Sequence, residues 1–89
     1  MTTDDMIEEI EDLEPALPRA LVVLAEGAEE AEAVIIVDVL RRAGIDTTLA
    51  SLGSDTVVQL SRKVRIVADS TLAAVTGNFE ALVLPGGAE

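Results

Sequence analysis

Carboxylates and glycine turns are the groups with which this chain could do chemistry, since its 89 residues include no histidine and no cysteine. For the chain alone, that excludes Ser-His-Asp triads, Cys/His nucleophile pairs, structural zinc and disulfides. A metal held only by carboxylates stays open, but no carboxylate spacing of the calcium-loop kind occurs and no metal site is expected. Among the acids, Glu32 stands apart. Stepping about 100° per residue along a helix, it falls in line with Ile36, Leu40 and Ala43, the stripe that should face a core. Burial there would favour the protonated, hydrogen-bond-donating acid. The other reading is an acid placed for the helix dipole with its head in solvent, as is expected of Glu29 and Glu30. Periodicity leaves both open for Glu32.

Two glycine-containing breaks, Glu26-Gly27-Ala28 and Pro85-Gly86-Gly87, each close an apolar run of strand length. In open α/β sheets, ligands bind beyond the carboxyl ends of the strands where the strand order reverses. If these two strands lie side by side, the Gly27 loop faces the Gly86-Gly87 loop. The backbone amides of Gly86 and Gly87 could then meet an anion or a developing oxyanion. A Pro-Gly-Gly run is more commonly a plain chain reversal, and that reading stays open. Arg62, in the polar stretch between two β-branched runs, is either a solvated loop arginine or one that reaches a partner's carboxylate.

The elements that must position these residues are legible in outline. Ala20 to Ala25 is a continuous apolar run, as expected of a strand buried on both faces. A helix is expected from about Glu29 to Ala43, with Glu29, Glu30 and Glu32 at its positive end, Arg41 and Arg42 at its negative end, and Gly44 as the stop. Ile45 to Leu52 reads as a second strand, and Thr56–Leu60 with Val64–Val67 as a hairpin. Asp69 is placed to cap a short helix over Ser70–Val75, stopped at Gly77, and Phe79–Leu84 is a third buried strand. This succession is the opening half of a flavodoxin-like, mostly parallel α/β sheet flanked by helices. Ala31, Val34 and Ile35 form a second apolar edge on the helix, a surface suited to a subunit interface.

The net charge is −11, and residues 1–18 hold seven acids and no base. They read as an acidic extension ending at Pro15 and Pro18, more consistent with a solvated tail than with a short helix on Met6, Ile7, Ile10 and Leu13. So acidic a chain is not expected to bind nucleic acid or an anionic membrane. No signal peptide, transit peptide or membrane-spanning run is present, which makes the cytoplasm the default location.

The residues also carry a resemblance. The run from Arg19 through Glu26-Gly27-Ala28-Glu29-Glu30-Ala31-Glu32, then Val37 to Ile45 with its Arg41-Arg42-Ala43-Gly44, closely resembles the N-terminal part of the DJ-1/PfpI family. The likeness continues through Val58-Gln59, Ser61-Arg62 and Val83-Leu84-Pro85-Gly86-Gly87. The last four of these residues are shared with the wider class I amidotransferase-like group. Residues 19–89 would then be the N-terminal portion of such a domain.

The resemblance implies a glutathione-independent glyoxalase or protein deglycase that is also a redox-responsive chaperone. Its substrate would be a small aldehyde such as glyoxal or methylglyoxal, or a glycated group, and it would use no metal or organic cofactor. By position, Glu32 matches a protonated glutamate that hydrogen-bonds a reactive cysteine, and Gly86 and Gly87 match glycines lining an oxyanion pocket. Gly27 lies in the facing loop. Arg62 matches an arginine reaching toward the partner's site, and the Glu29–Ala43 helix matches one packed across a homodimer. The family nucleophile lies on a strand-to-helix elbow downstream of Pro-Gly-Gly, and a later histidine is likewise beyond Glu89. Ala31 replaces a larger apolar residue, and Leu60 and Val67 stand where some relatives have accessory cysteines. The chain is therefore expected to be a fragment truncated before its nucleophile, inactive alone. The alternative is a non-catalytic dimerisation or partner-binding module. An unrelated nucleotide-binding half is disfavoured because the Gly27 loop has one glycine and adjacent acids.

Overall fold

A computed structural model describes residues 17–87; the expected acidic extension therefore lies outside the described residues, apart from Leu17 and Pro18. Strand β1 (Arg19–Leu24) is the centre of the molecule. It is followed by helix α1 (Glu30–Arg42), strand β2 (Asp46–Ser51), a hairpin of β3 (Val57–Gln59) and β4 (Arg65–Val67), the two-residue strand β5 (Ser70–Thr71) and strand β6 (Ala81–Val83). The main sheet has the order β5-β2-β1-β6. All its pairings are parallel, with Val22 aligned to Leu49 on one side and to Val83 on the other. This is an α/β architecture of the flavodoxin-like kind.

The strand β1 forms where it does because both of its faces are covered. Val22 and Leu24 point into a core with Ala28, Ala33, Leu49, Val58, Leu60 and Ala68, under Ile36, Val37 and Leu40 of α1. Leu21 and Val23 point the other way, with Ala50, toward Val75 and Phe79. Arg19 closes that second face by lying over the Phe79 ring, 4.3 Å from its centroid. Alternation of successive side chains thus serves two cores from one uninterrupted apolar run.

Helix α1 ends as its sequence dictates. Gly44 takes φ +80°, its N–H donates to the Arg41 carbonyl, and the Ile45 N–H donates to the Leu40 carbonyl. That pair of bonds is a Schellman closure, which needs a left-handed residue after the cap. The core-facing stripe is Ala33, Ile36, Val37 and Leu40, with Glu32 at its leading edge. Ala43, expected on that stripe, is exposed instead, because the helix ends at Arg42 and the chain turns away there.

Three other expectations are corrected. Asp69 does not cap a helix over Ser70–Val75. Ser70 and Thr71 pair with Ala50 and Ser51 as an edge strand, leaving one 3-10 turn over Leu72–Ala74. The Asp69 carboxylate instead accepts the Leu49 N–H at 2.8 Å and the Arg41 guanidinium at 2.9 Å, tying the end of α1 to the sheet. The third strand is shorter than Phe79–Leu84 because pairing with β1 is confined to Ala81–Val83, and it is not buried: among the described residues it is an edge strand, with Leu82 63% exposed. The hairpin pairs only Val57–Gln59 with Arg65–Val67, and its tip closes through the Leu60 N–H on the Val64 carbonyl.

Candidate functional site

The strand order reverses between β1 and β6. The chain leaves β1 toward β2 on one side and returns to place β6 on the other. The crevice beyond the carboxyl ends of these two strands is the place where such sheets bind ligands. Two loops meet there, Ala25–Glu29 after β1 and Leu84–Gly87 after β6.

They are joined backbone to backbone. The Glu29 N–H donates to the Gly86 carbonyl at 2.9 Å, and Ala28 and Gly87 form an antiparallel bridge. Gly27 turns the first loop with φ +81°, and its N–H donates to the Gln59 carbonyl at 3.0 Å. Gly87 lies so close to this loop that a Cβ on it would stand 3.3 Å from the Gly27 carbonyl oxygen. Glycine is favoured at that position by close approach of two backbones, not by φ.

Glu32 enters the crevice from the first turn of α1. Its Oε1 accepts the Gly86 N–H at 2.8 Å, and a Cβ on Gly86 would lie 3.1 Å from Oε2. The side chain is half-buried. In this arrangement the Gly86 amide is directed at the carboxylate. A carboxyl held by one oxygen at a strand-end crevice, beside glycines that leave space, is an arrangement that can move a proton to or from a bound group.

The structure thus brings Glu32, Gly27, Gly86 and Gly87 together. It sets Arg62 apart, exposed at the hairpin tip. Three groups that sequence reading passed over connect the tip to the crevice. The Ser61 N–H donates to the Ala28 carbonyl at 2.9 Å, and the Gln59 N–H donates to Glu26 Oε2 at 3.2 Å. Glu30, read as a dipole acid, accepts the Ser61 hydroxyl at 2.8 Å and the Arg62 N–H at 2.6 Å. Desolvation works to raise the Glu30 carboxyl. The Ser61 hydroxyl and the backbone N–H groups of Glu30, Arg62 and Val64 outweigh it and hold the carboxyl below its usual range. Among the described residues no three His, Cys, Asp or Glu side chains gather as a metal site would require. No described helix is long and apolar enough to cross a membrane.

The sequence model of the DJ-1/PfpI family matches residues 18–89, which takes in every element of this site. The chain belongs to the DJ-1/PfpI family. It is 55% identical over 71 residues to the Parkinson disease protein 7 homolog of Danio rerio, covering 78% of this chain and 38% of that protein. To protein dj-1beta of Drosophila melanogaster it is 54% identical over 69 residues, covering 76% of this chain and 37% of the relative. The crystal structure of Drosophila melanogaster DJ-1beta superposes with a TM-score of 0.77 at 51% identity, over 81% of this chain and 39% of that one. The chain therefore spans under two-fifths of the length of these DJ-1/PfpI relatives.

Proposed function

We propose that this segment supplies the acid and the glycine-lined pocket of a cysteine-dependent, glutathione-independent glyoxalase or protein deglycase. The observation that carries the reading is the Glu32–Gly86 contact at the β1/β6 crevice. It brings an acid and a side-chain-free loop to one point. The thiolate would come from the portion of the domain that the relatives possess beyond the matched stretch.

In this reaction the thiolate adds to the aldehyde carbon of methylglyoxal, and the oxygen of the adduct takes up a proton. Glu32 relays protons as the former aldehyde carbon is oxidised and the neighbouring carbonyl carbon is reduced to an alcohol. Water then releases the acyl group from sulfur as a 2-hydroxy acid. The balance is one aldehyde plus one water, with oxidation and reduction on adjacent carbons, so no external oxidant is consumed. Gly86 and Gly87 line the pocket with backbone and leave room for the oxyanion.

The outward face of α1 supports homodimerisation as part of the same reading. Val34, Ile35 and Val39 are 55%, 59% and 56% exposed along one helix, an apolar surface of the kind that subunit interfaces cover. A purely binding module remains the second reading on that observation. Incubating the intact protein with methylglyoxal in the absence of glutathione tests the first. Stoichiometric lactate is expected; a folded dimer that leaves the aldehyde untouched would favour the second.

A further inference from the structure

The first turn of α1 holds two acids, Glu30 and Glu32, about 200° apart around the helix axis. Glu32 goes to the glycine loop, and Glu30 goes to the hairpin tip in the opposite direction. We propose that Glu30 is a positioning residue that locks the Ser61–Val64 turn to α1 and thereby fixes the direction of Arg62. This rests on the expectation, carried by the family resemblance, that Arg62 reaches toward the partner's site.

The geometry is that of a carboxylate seated on a tight turn. Glu30 Oε1 accepts the Ser61 hydroxyl at 2.8 Å, while Oε2 accepts the Arg62 N–H at 2.6 Å and the Val64 N–H at 3.4 Å. The two amides flank Lys63, whose φ of +69° places a non-glycine residue in the left-handed region. A backbone in that region persists where its surroundings over-determine it. Here the Glu30 carboxylate takes the N–H groups on either side of Lys63, whose own N–H donates to the Leu60 carbonyl at 3.0 Å. The Arg62 guanidinium, by contrast, has no hydrogen-bond or ion-pair partner among the described residues. Its backbone is held and its charged end is presented. Because Glu30 and Glu32 share one helical turn, a shift of that turn moves the Arg62 turn and the crevice acid together.

Amide hydrogen exchange on the intact protein reads the lock directly. Glu30→Gln should speed exchange at Arg62 and Val64 by about tenfold or more, since bonds to a charged acceptor are the stronger kind, and leave Val22 and Leu24 unchanged. Glu30→Asp keeps the charge but shortens the reach, should loosen the same two amides less, and serves alone if the glutamine variant does not fold. Unaltered protection at Arg62 in the folded variant overturns the proposal. A double-mutant cycle on aldehyde turnover reads the consequence. Glu30→Gln should lower kcat/KM in the native background yet add less than about twofold to Arg62→Ala. Losses that multiply would mean that Glu30 does not act through Arg62, and would overturn the proposal. Should the native protein consume no aldehyde, the proposed activity fails and the exchange experiment alone decides the role of Glu30.

Discussion

Glu32 and Gly86 are 54 positions apart in sequence and meet at 2.8 Å, the carboxylate accepting the glycine's amide hydrogen. The contact exists because a parallel sheet sets β6 beside β1, and α1 begins immediately beyond the β1 loop. A side chain at position 86 would press on the same carboxylate, since a Cβ there would stand 3.1 Å from Glu32 Oε2.

Replacing Gly86 with Ala should separate function from stability. The new Cβ would stand 3.1 Å from Glu32 Oε2, the far end of a flexible side chain that can swing aside. The expected cost is under about 1 kcal/mol, with aldehyde turnover reduced because the acid has moved. Gly87→Ala should behave in the opposite way. Its Cβ meets backbone, the Gly27 carbonyl oxygen at 3.3 Å and Ala28 Cα at 3.7 Å, and backbone yields only by shifting a loop. A loss of about 1–3 kcal/mol is expected. Urea denaturation of both variants, set beside their turnover, checks the pair.

Gly44→Ala isolates a purely conformational effect. Nothing lies within 4 Å of a Cβ at this position, yet φ is +80°. The expected destabilisation is about 1 kcal/mol, with Gly44→Asn costing less because asparagine tolerates the left-handed region. Equal melting temperatures for wild type and Gly44→Ala would contradict the Schellman assignment.

Asp69→Ala removes the acceptor shared by the Leu49 N–H and the Arg41 guanidinium. Asp69 is itself partly exposed, so solvent can satisfy some of what is lost. A destabilisation of about 1–2 kcal/mol is expected, mainly from the backbone donor on β2. Faster amide exchange at Leu49 should accompany it.

Acid should weaken the fold partly through Glu30. Its folded-state carboxyl titrates below its usual 4.5. Between the folded and unfolded values the unfolded chain binds more protons, so stability rises with pH there. The contribution is fully present above the unfolded value and disappears as pH falls through the folded one. Glu30→Gln should flatten this part of the profile, as measured by denaturation at intervals from about pH 6 down to about pH 3.

Much of this is legible in the amino-acid sequence. The apolar run at Ala20–Ala25 required a strand covered on both faces, and Gly44 after Arg41-Arg42 required a helix end. The meeting of the Gly27 and Gly86-Gly87 loops followed from placing the third strand beside the first. What escaped were contacts that periodicity cannot encode. Glu30 carries the composition of a dipole acid, and only the fold brings it to Ser61, 31 residues on. Asp69 precedes a stretch that could have been helical, and pairing of Ser70–Thr71 with β2 overrode that local preference. Ala43 lies on the core stripe by angle but follows the helix's last residue, where the angle no longer applies.

The most direct test of the account is Glu32→Gln in the intact protein, assayed for methylglyoxal consumption beside a melting curve. The substitution preserves size and an acceptor for the Gly86 amide while removing the group that exchanges a proton. A fold that melts normally is expected, with kcat/KM lowered by about 100-fold or more, the usual contribution of a positioned acid or base. Consumption at the native rate by the folded variant would contradict it and remove Glu32 from the mechanism.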